Sequence, residues 1–100
     1  MKTLRHLPIA LFFLAAAAWA QEAPSSGLMT HLRAAQERLA VEDFDGALGE
    51  LDAALKIAAG ERELAQVYAM RAIAHQSAGH YEKAAADYDE AIERIQNNAE

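Results

Sequence analysis

YAMRAIAHQSAGHYEKAAADYDEAI, the stretch from Tyr68 to Ile92, is the most informative part of this sequence. Apolar residues recur in it at intervals of three and four, which is the spacing of one face of an α-helix. Gly79 interrupts the pattern, and glycine readily takes the left-handed conformation that ends a helix. The stretch therefore predicts two helices joined by a glycine turn, with alanines where the two helices touch.

A second helix pair is predicted upstream. Its first helix ends near Val41 and has an apolar stripe at helical spacing, formed by Leu28, Leu32, Ala35 and Leu39. Asp43 is placed to cap the next helix, which Gly60 ends. The chain from residue 28 onward is thus predicted to be all-α, with four helices arranged as tandem antiparallel hairpins.

The third and fourth helices are predicted from the stretch quoted above and its flanks. The third spans Leu64 to Ala78 and is expected to be the most buried helix, because Arg71 is its one charged residue. The fourth begins at Tyr81, and its apolar face extends to Ile95. A frayed tail is expected from residue 97 onward.

The N-terminus has the pattern of a secretory signal peptide. Lys2 and Arg5 precede an apolar run, and Ala18-Trp19-Ala20 is a small-x-small cleavage site. We expect cleavage after Ala20 and a periplasmic or secreted protein, with an uncleaved membrane anchor as the alternative. Residues 1–20 are therefore assigned to the signal peptide and residues 21–27 to a flexible leader.

The charge of the chain limits its partners. Nine basic and fifteen acidic residues give a net charge of −6, which becomes −8 when Lys2 and Arg5 leave with the signal peptide. The remaining basic residues form no stripe, so neither nucleic acid nor an anionic membrane is an expected partner.

The second hairpin resembles the tetratricopeptide repeat, in which large, small and aromatic residues occupy fixed places on two helices. The residues that carry the resemblance are Tyr68, Arg71, Ala72, His75, Gly79, Tyr81, Ala84, Tyr88 and Ala91. Residues 62–98 match well, whereas residues 28–61 form a degenerate first repeat and residues 99–100 a tail. Glu42 replaces the turn glycine, and Gly79 follows it by 37 residues, against a usual period of about 34.

The resemblance implies a scaffold or adaptor that binds another protein and has no enzymatic activity. Its ligand, an extended peptide or a partner helix, is expected on the concave face made by the first helix of each pair. On this chain that face implies Met29, Arg33, Gln36, Gln66, Met70, Ile73 and Gln76. Leu32 belongs either to this face or to the core, and the same alternative holds for Ile73.

The last helix has an apolar stripe too broad for one neighbour. Ala84 and Ala91 are expected to face the third helix, whereas Ala85, Ile92 and Ile95 are expected at an open C-terminal end that no capping helix covers. This end is predicted to contact a partner. The alternative is a structural protein that associates with itself through the same helix.

The sequence indicates no catalytic residue, cofactor or metal site. No serine has a plausible histidine and acid partner, and the histidines lack the spacing of metal ligands. Acidic residues of the last helix are predicted mostly on its solvent face: Asp87, Asp89, Glu90 and Glu93.

Overall fold

The computed structural model describes residues 26–99, and every regular element among them is an α-helix. The four helices are α1 (Ser26–Ala40), α2 (Phe44–Ile57), α3 (Glu61–Ser77) and α4 (Tyr81–Ala99). Each helix packs against the next along the chain, so two helical hairpins stack through α2 and α3. The predicted all-α architecture is confirmed. The predicted signal peptide and residues 21–25 of the leader lie outside the described residues.

Two helices begin earlier than the sequence predicts. α1 starts at Ser26, so the last two residues assigned to the leader form its first turn. α3 starts at Glu61, three residues before Leu64. Glu61 and Glu63 lie in the first turn of α3, where the partial positive charge of a helix N-terminus favours carboxylates.

Two helices also end at different places from those predicted. α2 ends at Ile57 because Ala58 already has an extended backbone, whereas the sequence placed the end at Gly60. α4 continues through Asn97 to Ala99, so the residues predicted as a frayed tail belong to its last turn. Asp43 caps α2 as predicted, with its carboxylate accepting from the Gly46 backbone N–H at 3.0 Å.

A left-handed residue, Glu42, ends the turn after α1. Its φ is 61°, and its N–H donates to the Leu39 carbonyl at 3.1 Å. The Asp43 N–H donates to the Arg38 carbonyl at 2.8 Å, which completes the two nested hydrogen bonds of a Schellman motif. Glu42 therefore takes the backbone conformation that favours glycine.

The same motif ends α3 at Gly79. This residue has a φ of 85°, and its N–H donates to the Gln76 carbonyl at 3.1 Å. The His80 N–H donates to the His75 carbonyl at 2.8 Å. Because Glu42 and Gly79 are 37 residues apart, the two hairpins share one turn geometry at that offset.

A polar side-chain contact recurs at the same offset. Arg38 Nε lies 4.0 Å from Glu50 Oε1 in the first hairpin. In the second hairpin, His75 Nε2 lies 3.9 Å from Asp87 Oδ2. Backbone and side chains thus support one correspondence between the hairpins, which we call the 37-residue register.

Glu42→Gly is expected to raise the free energy of unfolding by about 1 kcal/mol, because glycine adopts a positive φ without the penalty of a Cβ atom. Gly79→Ala is the matched reverse change, and it is expected to lower the free energy of unfolding by about 1 kcal/mol. An added Cβ at Gly79 meets nothing within 4 Å, so backbone strain is its main cost. Urea unfolding measures both variants, and a Glu42→Gly protein no more stable than the parent would contradict this reading of the turn.

The apolar core lies among α1, α2 and α3. Its buried residues are Leu28, Leu32, Ala35, Leu51, Ala54, Val67 and Ala74. Leu32 is only 3% exposed, so it belongs to the core rather than to the concave binding face. α3 has four buried residues, more than any other described helix, which confirms the prediction that the third helix is the most buried. α4 contributes only two small apolar residues to the interior, Ala84 and Ala91.

Candidate functional site

An open groove lies between the first turns of α3 and the last turns of α4. Its volume is about 360 Å³. The side chains that line it are Arg62, Ala65, Gln66, Ala69, Ile95 and Asn98. Its two alanines form an apolar floor, in which Ala65 is buried and Ala69 is half-buried.

An exposed apolar stripe runs along α4 toward this groove. Ile92 and Ile95 are 53% and 58% exposed, and Ala85 is also exposed. Ala84 and Ala91, which directly precede Ala85 and Ile92 in the sequence, are each only 4% exposed. The open C-terminal end stays a prediction, and we call Ala85, Ile92 and Ile95 the α4 stripe.

The groove brings together residues that the sequence assigned to two different surfaces. Gln66, predicted on the concave face, lines it opposite Ile95 of the open end. Farther along the hairpin, the Tyr88 hydroxyl donates to Gln76 Oε1 at 3.0 Å. Ile73 lies seven residues after Gln66 and three before Gln76, hence on the same face of α3. The α3 part of the concave face therefore borders the α4 stripe.

The predicted concave residues differ in helix and in exposure. Met29, Arg33 and Gln36 are exposed on α1. Met70 is half-buried and packs against the apolar core. Ile73 is 48% exposed, so it lies at the surface rather than in the core.

The aromatic residues that carry the family resemblance differ in burial. Tyr68 is half-buried, and its ring lies beneath the guanidinium groups of Arg71 and Arg94, at 5.5 and 5.6 Å. Tyr88 is also half-buried. Tyr81 is 70% exposed because it is the first residue of α4, and α3 already ends at Ser77.

A charged network joins α2, α3 and α4. Arg71 donates from Nε and NH2 to the two carboxylate oxygens of Asp87, both at 2.8 Å. Its NH1 donates to Asp52 Oδ1 at 3.0 Å. These hydrogen bonds, above all those to Asp87, raise the pKa of Arg71 above its usual range. The guanidinium is thus a fixed positive charge between three helices.

Asp87 corrects a sequence prediction. The residue was placed on the solvent face of α4 with Asp89, Glu90 and Glu93, yet it is only 5% exposed. Its bidentate contact with Arg71 compensates for the loss of water around the carboxylate. The available signal was that Arg71 is the one charge in the middle of an otherwise uncharged helical stretch.

His75 lies beside this network. Burial lowers the pKa of His75, the nearby Asp87 carboxylate opposes the shift, and the positive charges of Arg71, His80 and Lys83 reinforce it. The folded protein therefore binds a proton at His75 less readily than the unfolded chain does.

Lowering the pH is accordingly expected to destabilise the protein through His75. The unfolded histidine takes up a proton near its ordinary pKa of about 6.5, so this contribution to stability is lost as the pH falls through that value. Unfolding free energies measured from about pH 7.5 to about pH 5.5 should fall less steeply for His75→Gln than for the parent. An identical slope in both proteins would show that His75 is not the responsible group.

The described residues present no group of three metal-ligating side chains. None of the helices in residues 26–99 is long and apolar enough to cross a membrane. The polar side chains that do cluster, around Arg71, are bonded to one another across the helix interfaces.

The residues described above form an all-α pair of stacked helical hairpins with an open groove on the second hairpin. Comparison with family models, curated proteins and solved structures finds no match to this chain. The function must therefore be inferred from the site itself.

Proposed function

We propose that this chain is a non-enzymatic module that binds another protein through the second hairpin. The observation that carries the proposal is the α4 stripe beside the groove. Two isoleucines more than half exposed, next to an alanine-floored groove, favour burial against an apolar surface. Docking of a partner removes this surface from water and so stabilises the complex.

The polar contacts also support a binding role. The best-bonded charges, Arg71 and Asp87, bond to each other across helices, so they stabilise the fold that presents the groove. The exposed chemistry near the groove consists of an isoleucine, amide side chains and one arginine. Such a surface suits a peptide or a helix.

The proposal extends to the family and the location. The Schellman turns and the 37-residue register support an internal helical repeat, as expected for a protein that resembles the tetratricopeptide repeat. The predicted signal peptide places the module in the periplasm or outside the cell. There it would act as an adaptor or scaffold between exported proteins.

A co-purification experiment tests this function. The chain is expressed with its own N-terminus and a C-terminal tag, recovered from the periplasm under mild conditions, and analysed by mass spectrometry. We expect a stoichiometric partner of different sequence. Recovery from the periplasm, together with a mature mass that corresponds to cleavage after Ala20, tests the predicted export.

Two matched substitutions locate the binding surface. Ile92→Glu changes the α4 stripe and Ile73→Glu changes the concave face, at residues that are 53% and 48% exposed. Loss of the partner with Ile92→Glu supports the proposed surface. Recovery of only this chain, with a melting temperature that rises with protein concentration, would instead favour self-association.

A further inference from the structure

In the 37-residue register, the α4 stripe corresponds to a covered face of α2. The corresponding pairs are Leu48 with Ala85, Leu55 with Ile92, and Ala58 with Ile95. Leu48 and Leu55 of α2, together with Ala58 directly after its end, are half-buried against the core to which α3 contributes Val67 and Ala74. The three residues of α4 are exposed, because no described element packs against that side of the helix.

The groove floor corresponds to the core of the first hairpin. Ala65 lies 37 residues after Leu28, and Ala69 lies 37 residues after Leu32. Leu28 and Leu32 are buried in the cluster that α3 completes. Both walls of the open groove therefore correspond to surfaces that, in the first hairpin, belong to the core shared with a helix.

One charge contact extends the correspondence. Asp52 of α2 accepts a hydrogen bond at 3.0 Å from Arg71 of α3, the helix that packs against it. Asp89 lies 37 residues after Asp52 and is exposed on α4. In this register, Asp89 occupies the position on α4 that the acceptor Asp52 occupies on α2.

We infer that the groove and the α4 stripe bind a helix of another protein that resembles α3. Its docking face carries small and medium apolar residues at helical spacing, together with one arginine or lysine that pairs with Asp89. This inference rests on the proposed function and specifies the chemistry of the partner.

A second copy of this chain does not satisfy that description. In a head-to-tail stack its α1 would take the place of α3, and Thr30, Arg33 and Glu37 would replace Val67, Met70 and Ala74. These polar residues would face the isoleucines of the α4 stripe, at a cost in desolvation.

A symmetric pairing of two α4 helices is disfavoured by charge. It would bring Asp89 and Glu93, both exposed, toward the same residues of the other copy. The chain as a whole carries a net charge of −6, which adds to the repulsion. A helix with one arginine or lysine opposite Asp89 meets the same surface with a complementary charge.

A synthetic copy of α3, residues 61–77, tests the inference as a probe. The peptide carries a fluorophore and is held helical by a lactam on its solvent face, because an isolated helix of this length is only marginally stable in water. Fluorescence anisotropy measures its affinity for the purified full chain. We expect the peptide to bind the parent protein. Ile92→Glu should weaken its affinity at least tenfold, because an isoleucine that the bound peptide covers is replaced by a charge.

A charge exchange identifies the contact at Asp89. In the protein, Asp89→Arg should weaken binding of the peptide about fivefold, and a peptide carrying Arg71→Glu should recover that loss. Asp52→Arg is the matched control, because Asp52 pairs with the chain's own α3. Absence of binding, or binding that responds to Asp52 rather than Asp89, overturns the inference.

The remaining outcomes separate this inference from the proposed function. A dimer that Ile92→Glu dissociates, measured by sedimentation equilibrium on the chain alone, assigns the surface to a second copy and overturns the inference. A co-purified partner lost with Ile73→Glu but retained with Ile92→Glu also overturns it, although the chain remains a protein-binding module.

Discussion

Replacing Arg71 with alanine is expected to lower the free energy of unfolding by about 3 kcal/mol, because it leaves the Asp87 carboxylate buried without its counter-charge. The Asp87 side chain is 7% exposed and that of Arg71 is 25% exposed, so water compensates little. Urea unfolding followed by circular dichroism, with a stabilising osmolyte in all samples, measures the change.

Two further variants test the cause of this loss. Asp52→Ala removes the other partner of Arg71. Because the Asp52 side chain is 60% exposed, this change should lower the free energy of unfolding by at most about 0.5 kcal/mol. Arg71→Met combined with Asp87→Leu replaces the buried pair with apolar groups and should recover much of the stability lost in Arg71→Ala. A double variant as unstable as Arg71→Ala would mean that the ion pair itself, rather than the orphaned carboxylate, determines the effect.

Leu51→Ala is expected to lower the free energy of unfolding by about 3 kcal/mol, because it removes a buried side chain and leaves a cavity. Leu51 is 0% exposed and belongs to the core that joins α1, α2 and α3. The same unfolding experiment measures this variant.

Ile92→Ala is the matched control for the core substitution. Ile92 is 53% exposed, so its truncation should change the free energy of unfolding by less than about 1 kcal/mol. A large loss of stability in Ile92→Ala would show that the α4 stripe is covered within the protein in solution. The stripe would then be part of the fold and could not serve as a docking surface.

The helices follow from local signals in the sequence. The 3.6-residue periodicity predicts all four, and Asp43 and Gly79 mark a start and a turn that the structure confirms. The boundaries were less predictable because helix ends depend on individual residues. α2 ends before Ala58 rather than at Gly60. Asn97 remains helical, although the polar sequence around it suggests a frayed end.

The candidate site was only partly predictable. The open side of α4 follows from the breadth of its apolar stripe, which one neighbour cannot cover. The burial of Asp87 does not follow from periodicity, because a carboxylate enters the interior only when a partner on another helix, here Arg71, compensates for lost hydration. The placement of Gln66 and Ile95 along one groove likewise depends on how two helices pack.

The second hairpin has an interface of different character from the first. α4 is held against α3 by alanines, by the Arg71–Asp87 pair, and by the ion pair of Arg94 with Glu61 at 3.3 Å. The large buried side chains all belong to α1, α2 and α3. A helix that packs against the α4 stripe would add the apolar contacts that this hairpin lacks, so binding should also stabilise α4.

Site-specific photo-crosslinking is the most direct test of the claim that the α4 stripe binds another protein. Ile92→p-benzoylphenylalanine is expressed with the chain's own N-terminus and irradiated in intact cells. The control is the same substitution at Lys56, which is exposed on α2. We expect a covalent adduct with a different protein from residue 92 and none from residue 56. Adducts from residue 92 only with another copy of this chain, or no adduct at all, would contradict it.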